Sequence, residues 1–195
     1  MSWNPANAIT VVRICLVPLV VGALLVDTAG GWRLVATALF VVAALSDRLD
    51  GYLARRMDQV TDWGKLADPI ADKLLMGGTL VTLSALGDLP WWVTVVILFR
   101  ELGITALRLA VLRYVVIPAS RGGKLKTALQ SVGIGLFVLP LDRLPAWVGQ
   151  AAWVILLTAL VVTVVPGVDY VRRGWAIRGG VDRSEADRDR LSESR

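Results

Sequence analysis

Long apolar runs alternate with short polar stretches along most of the chain. Six of these runs have about the 20 residues that an α-helix needs to cross the hydrocarbon core of a bilayer. The predicted spans are residues 8–26, 33–55, 65–86, 91–113, 124–141 and 146–171. The pattern predicts an all-α, polytopic integral membrane protein whose six transmembrane helices form one domain, residues 1–172.

Basic residues predict the orientation, because they gather in alternate loops and are scarce in the others. The clusters are Arg48, Arg55, Arg56 and Lys65; Arg113, Arg121, Lys124 and Lys126; and Arg172, Arg173 and Arg178. By the positive-inside rule, both termini face the cytoplasm. These clusters account for the formal charge of +5; they favour contacts with anionic lipids and phosphorylated substrates over nucleic acid. Residues 173–195 are rich in charge, serine and glycine, which predicts a disordered cytoplasmic tail.

A dense polar stretch, SDRLDGYLARRMDQVTDWGKLADPIADKL, interrupts the second and third spans. Residues three or four apart share a helical face, so Asp47 and Asp50 line one side of one helix, and Asp68 and Asp72 one side of the next. If the two helices are antiparallel, the carboxylates converge into an acidic pocket. Four carboxylates would repel one another there, so we expect two bound divalent cations, and oxygen ligands suit Mg²⁺ or Mn²⁺.

Other residues of this stretch suit a bulky phosphorylated ligand. Gly51 and Ala54 leave room for a ligand to approach the helix backbone, and Arg55 supplies a planar cation for phosphate oxygens. Solvated helix ends would explain any single aspartate but not the whole spaced set, because carboxylates inside a membrane are costly. The chain has no histidine and one cysteine, Cys15, which excludes Cys/His zinc sites and a histidine base. Carboxylates are therefore expected to carry the proton chemistry.

The spacing D-x2-D-G-x2-A-R-x8-G-x3-D-x3-D resembles the signature of the CDP-alcohol phosphotransferases, membrane enzymes that move a phospho-alcohol from a CDP carrier to a hydroxyl acceptor. The resemblance implies six transmembrane helices around a cytoplasm-facing polar cavity, and a homodimer. It implies that Asp47 and Asp68 bridge two metal ions, that Asp50 and Asp72 each bind one of them, and that Asp72 is the general base. Contacts with the CDP-lipid are expected at Pro5, Asn7, Thr10, Gly51, Ala54, Arg55 and Thr61.

Polar residues outside this stretch are expected to select the acceptor. Glu101, Thr105 and Arg108 share one face of the fourth span. Together Arg108, Lys124 and Lys126 can form a cationic pocket for a phosphate on the acceptor, although both lysines fit an ordinary positive-inside loop equally well. The segments RELGITALR and GGKLKTALQ resemble family members whose acceptor is glycerol 3-phosphate. That resemblance implies CDP-diacylglycerol and glycerol 3-phosphate as substrates, and phosphatidylglycerol phosphate and CMP as products.

Two other functions stay open from the sequence. A cardiolipin synthase of the same family would use phosphatidylglycerol as acceptor, and it would need a side opening for acyl chains. A divalent cation transporter would also place aspartates within helices, facing a water-filled path. Gly51, Ala54 and Arg55 argue against the transporter, because a cation path needs neither a fixed arginine nor space for a nucleotide. Inositol phosphate or serine is a less favoured acceptor.

Overall fold

The computed structural model describes the backbone of residues 5–26, 31–56, 62–111 and 121–162, and the side chains of residues 8–26, 31–46, 67–103, 105 and 127–162. The helices in these ranges are α1 (Pro5–Val26), α2 (Gly31–Arg56), α3 (Asp62–Ala85), α4 (Trp91–Val111), α5 (Arg121–Val138) and α6 (Ala146–Val162). A 3-10 turn, Leu141–Arg143, separates α5 from α6. The described ranges contain no strand, so the all-α prediction is confirmed. The predicted tail, residues 173–195, lies outside them.

One apolar segment within the described ranges has both the length and the hydropathy of a membrane span. It is Ala8–Val26, with 19 residues and a mean hydropathy of 2.6. Gly31–Ser46, Thr127–Val138 and Ala146–Val162 are apolar but shorter. Each predicted span corresponds to one helix, and six membrane spans stay a prediction.

The helices pack around an apolar core to which all six contribute. Helices α1 and α5 each lie against α2 and α3, and α4 lies against α3. The largest fully buried apolar side chains include Leu24, Phe40, Leu75, Leu80, Leu83, Leu89, Ile97, Ile134 and Leu156. Helix α6 approaches α5 at a glycine, because a Cβ on Gly133 would lie 3.1 Å from the Leu156 Cα. Gly133 therefore allows α5 and α6 to pack closely.

The turn from α3 to α4 depends on Gly87. Its φ of +84° is a left-handed conformation that glycine adopts without steric cost. The Asp88 N–H donates to the Leu83 carbonyl at 3.0 Å, which closes the last turn of α3 as a glycine after a helix commonly does. Pro90 then leads into α4, which returns along α3.

Long-range contacts define two ends of the bundle. At one end, Arg33 near the start of α2 contacts Val138 at the end of α5 and Asp88 in the α3–α4 turn. At the other, Thr10 near the start of α1 contacts Asp68 near the start of α3. We call these the Arg33 end and the aspartate end. Because α2 starts where α3 finishes, α2 and α3 are antiparallel, as the hypothesis of a shared acidic pocket requires.

Candidate active site

Asp68 and Asp72 lie one turn apart on α3, and both side chains are half-buried. Thr10 Oγ1 donates a hydrogen bond to Asp68 Oδ1 at 2.5 Å, and Thr10 itself is only 1% exposed. Hydrogen bonds to an ionised carboxylate are among the stronger ones in proteins. Helix α1 therefore orients the Asp68 carboxylate through a buried hydroxyl.

The other predicted site residues have described backbones but lie outside the described side chains. They are Pro5 and Asn7 on α1; Asp47, Asp50, Gly51, Ala54 and Arg55 on α2; Arg108 on α4; and Lys124 and Lys126 on α5. Thr61 lies outside the described residues altogether. The helices bring the α2 and α3 portions of the polar stretch SDRLDGYLARRMDQVTDWGKLADPIADKL to the same end of the bundle.

Arg13 is a cation at this end that the sequence analysis did not assign to the site. Its side chain is 0% exposed, and its Nε donates a long hydrogen bond, 3.5 Å, to the Oγ of Ser46, the residue before Asp47. A buried guanidinium needs acceptors or opposing charge around it. In the sequence Arg13 simply interrupts an apolar run. The available signal was its spacing of three from Thr10, which puts both side chains on one helical face.

A second contact joins α3 to α4 beside the aspartates. Lys73 Nζ donates to Thr105 Oγ1 at 2.5 Å, and Thr105 Oγ1 donates to the Glu101 carbonyl oxygen at 2.8 Å. Glu101 Oε1 also accepts from Arg100 Nη1 at 3.1 Å. Thr105, on the predicted polar face of α4, thereby contacts α3, and Lys73 is a further cation that the sequence analysis did not single out.

A cavity of about 80 Å³ opens between α3, α4 and α5. Its polar lining comes from Asp72 and Lys73 on α3, Glu101 on α4, and Thr127 and Gln130 on α5. The rest of its wall is apolar and consists of Met76, Gly77, Leu80, Ile97, Leu98 and Leu102. The space is several times what one water molecule needs. Asp72 therefore faces a cavity that admits a small polar ligand.

The chemistry of the described carboxylates fits a hard divalent cation. Asp68 and Asp72 stand one turn apart on one helix, and carboxylate oxygens are the ligands that Mg²⁺ and Mn²⁺ prefer. Among the described side chains, no group of three or more acidic, histidine or cysteine residues comes together. The remaining oxygens would have to come from Asp47 and Asp50 on α2. Metal binding thus stays a prediction that the donor set supports.

The comparison with known families agrees with this arrangement. A family model described as CDP-alcohol phosphatidyltransferase matches residues 3–165, a range that contains all the described helices. The chain belongs to this family. The class expected from the aspartate spacing is therefore confirmed.

Several relatives carry names that are more specific than the family description. Proteins of two Mycobacterium tuberculosis strains, each named probable phosphatidylglycerophosphate synthase, are 53% identical over 182 residues, which is 91% of this chain and 85% of theirs. The CDP-diacylglycerol–glycerol-3-phosphate 3-phosphatidyltransferase of Bacillus subtilis is 33% identical over 189 residues, or 89% of this chain and 96% of that protein. A protein of the same name from Rickettsia felis is 37% identical over 138 residues, or 70% and 75%.

Proposed function

We propose that this chain transfers the phosphatidyl group of CDP-diacylglycerol to glycerol 3-phosphate, which gives phosphatidylglycerol phosphate and CMP. The family and the names of the relatives support the reaction class and both substrates. The structural observation that carries the proposal is the position of Asp72. Its side chain lines a cavity, one turn from Asp68, at the end of the bundle that holds the α2 and α3 portions of the predicted polar stretch.

We assign Asp72 the role of general base. Its carboxylate takes the proton of the primary hydroxyl of glycerol 3-phosphate, and that oxygen forms a bond to the phosphorus that carries diacylglycerol. The bond from this phosphorus to the oxygen of the CMP phosphate breaks, and CMP leaves with its electron pair. The product lipid stays in the bilayer. This is a direct displacement without a covalent enzyme intermediate.

Two divalent cations, Mg²⁺ or Mn²⁺, would be held by Asp47, Asp50, Asp68 and Asp72. When bound, such ions offset the charge of the diphosphate and favour loss of the acceptor proton. Thr10 keeps the Asp68 carboxylate in one orientation through its hydrogen bond. Arg13 adds a permanent positive charge next to the last turns of α2.

The CDP-lipid is expected to contact α1 and α2 through Pro5, Asn7, Thr10, Gly51, Ala54, Arg55 and Thr61. The Thr10 hydroxyl already donates a hydrogen bond to Asp68. Any contact of Thr10 with the lipid would therefore use the lone pairs of the hydroxyl oxygen as acceptors. The acceptor phosphate is expected near Arg108, Lys124 and Lys126. The backbones of these three residues stand at the aspartate end of α4 and α5.

We further propose that all six helices span the membrane, with both termini and the aspartate end in the cytoplasm. Helices α2 and α3 have 26 and 24 residues, or about 39 and 36 Å, which exceeds the ~30 Å hydrocarbon core. Large apolar side chains also cover the outside of the bundle, with Phe99 80% and Leu19 55% exposed. Trp32, Trp91 and Trp147 are exposed at the Arg33 end, as an interfacial aromatic belt requires. A homodimer remains an expectation from the family resemblance.

Purified protein in detergent tests the proposal by CMP release from CDP-diacylglycerol with Mg²⁺ or Mn²⁺. Glycerol 3-phosphate, phosphatidylglycerol, inositol phosphate, serine or no acceptor is supplied in parallel. We expect metal-dependent release with glycerol 3-phosphate alone. Release with phosphatidylglycerol alone would support a cardiolipin synthase. Absence of release from folded protein with every acceptor, together with Mn²⁺ uptake into proteoliposomes, would support a cation transporter.

A further inference from the structure

The cavity between α3, α4 and α5 contains an amide that the proposed chemistry does not use. Gln130 lies on α5, lines the cavity and is only 6% exposed. Across the cavity from α5 stand Asp72 on α3 and Glu101 on α4. Among the described side chains, the one fully enclosed polar atom without a hydrogen-bond partner is Thr79 Oγ1, so the Gln130 amide is not sealed off from the cavity.

An amide that borders a cavity forms hydrogen bonds with whatever fills that cavity, water or a ligand. A ligand that displaces water from the cavity must therefore supply hydrogen-bond partners for this amide. A primary amide offers two N–H donors and one carbonyl acceptor. A hydroxyl group is both a donor and an acceptor, so it matches the amide in either orientation.

The register of α5 indicates which part of the acceptor lies there. Lys126, expected near the acceptor phosphate, comes four residues before Gln130, which is about 6 Å along the helix. Asp72, the assigned base, lines the same cavity as Gln130. A three-carbon acceptor with its phosphate near Lys126 and its primary hydroxyl near Asp72 therefore brings its secondary hydroxyl into the cavity.

We propose that Gln130 recognises the secondary, non-reacting hydroxyl of glycerol 3-phosphate, and that this contact selects a small polyol phosphate as acceptor. The proposal rests on the proposed function and adds to it a specificity-determining residue. A hydrogen bond between two neutral groups corresponds to about tenfold in binding. Removing either the amide or the hydroxyl should cost about that factor, and removing both should cost little more than removing one.

The test compares two acceptors in two proteins. Glycerol 3-phosphate and 3-hydroxypropyl phosphate, which lacks the secondary hydroxyl, are each supplied to the unaltered chain and to Gln130→Met. We expect the unaltered chain to prefer glycerol 3-phosphate by about tenfold in kcat/KM, and Gln130→Met to show almost no preference. The loss should appear in the KM for glycerol 3-phosphate, with the KM for CDP-diacylglycerol unchanged.

Two further variants keep the test decisive. Gln150→Met changes an exposed glutamine on α6 and should keep the full preference. Gln130→Asn keeps a buried amide but withdraws it by one methylene, so it should also weaken the preference. An undiminished preference in both Gln130 variants, or an equal loss with both acceptors, overturns the role of Gln130 and leaves the proposed function intact. If the unaltered chain fails to use glycerol 3-phosphate, the proposed function and this inference both fail.

Discussion

The two ends of the bundle use buried charge in different ways. At the Arg33 end, the Arg33 guanidinium contacts Asp88 at 2.8 Å and donates to the Phe137 and Val138 carbonyls at 2.9 and 3.2 Å. These acceptors belong to the α3–α4 turn and to the last turn of α5, whose carbonyls lack helical donors. One cation therefore joins three parts of the chain, and its charge is satisfied by protein groups.

At the aspartate end, the charged groups surround a space instead. Asp72, Lys73 and Glu101 line the cavity between α3, α4 and α5. The Asp68 carboxylate is oriented by a hydrogen bond from the Thr10 hydroxyl. The charge at the Arg33 end has protein partners and stabilises the fold. The charges at the aspartate end border a cavity and are available to a ligand. Substitutions at the two ends should therefore separate stability from activity.

The largest effect is expected from Asp72→Asn, because it removes the assigned base while preserving the size of the side chain. We expect kcat to fall about 10³-fold, with an unchanged unfolding temperature in detergent. Asp142→Asn is the matched control, since Asp142 is an exposed aspartate in the 3-10 turn at the Arg33 end. Full turnover by Asp72→Asn would refute the base assignment.

The next largest effect is expected from Arg33→Met, which leaves Asp88 and two helix-terminal carbonyls without their partner. Leaving buried backbone carbonyls without a donor costs about 2 kcal/mol of unfolding free energy, so the unfolding temperature should drop while kcat of the folded fraction stays unchanged. Arg143→Met, at an exposed arginine of the same end, should have little effect on either quantity. A loss of kcat in Arg33→Met without destabilisation would contradict the assignment of this end to structure.

The smallest of the three effects is expected from Thr10→Val, which removes the hydrogen bond to Asp68. We expect an activity loss of about tenfold, as for one hydrogen bond to a charged group, and a higher Mn²⁺ concentration for half-maximal rate. Thr10→Ser should restore most of the activity. Thr158→Val is the control, because Thr158 is exposed and bonds only within α6, to the Val154 carbonyl at 2.7 Å. Equal behaviour of Thr10→Val and Thr158→Val would remove Thr10 from the site.

Local spacing accounts for what the sequence predicted well. Apolar runs of helical length gave one helix for each predicted span. The i to i+4 spacing of Asp68 and Asp72 put both on one stretch of α3. These features depend on residues close together in the chain, so periodicity reveals them.

Contacts between distant residues account for what the sequence did not reveal. Arg33 stands at the predicted start of the second span, yet it is 3% exposed and bonds to Val138, 105 residues away. In the sequence, Arg13 interrupts an apolar run, and Gln130 is the last residue of the segment GGKLKTALQ. Their meaning appears only when α1 lies against α2 and when α5 closes the cavity beside Asp72.

We propose that the aspartate end catalyses transfer of the phosphatidyl group to glycerol 3-phosphate. Its most direct test supplies ¹⁴C-labelled glycerol 3-phosphate with CDP-diacylglycerol and Mg²⁺, and follows label in the organic phase together with CMP. We expect one labelled phosphatidylglycerol phosphate for each CMP released. CMP release without label in any lipid would mean hydrolysis of CDP-diacylglycerol, and it would contradict transfer to glycerol 3-phosphate.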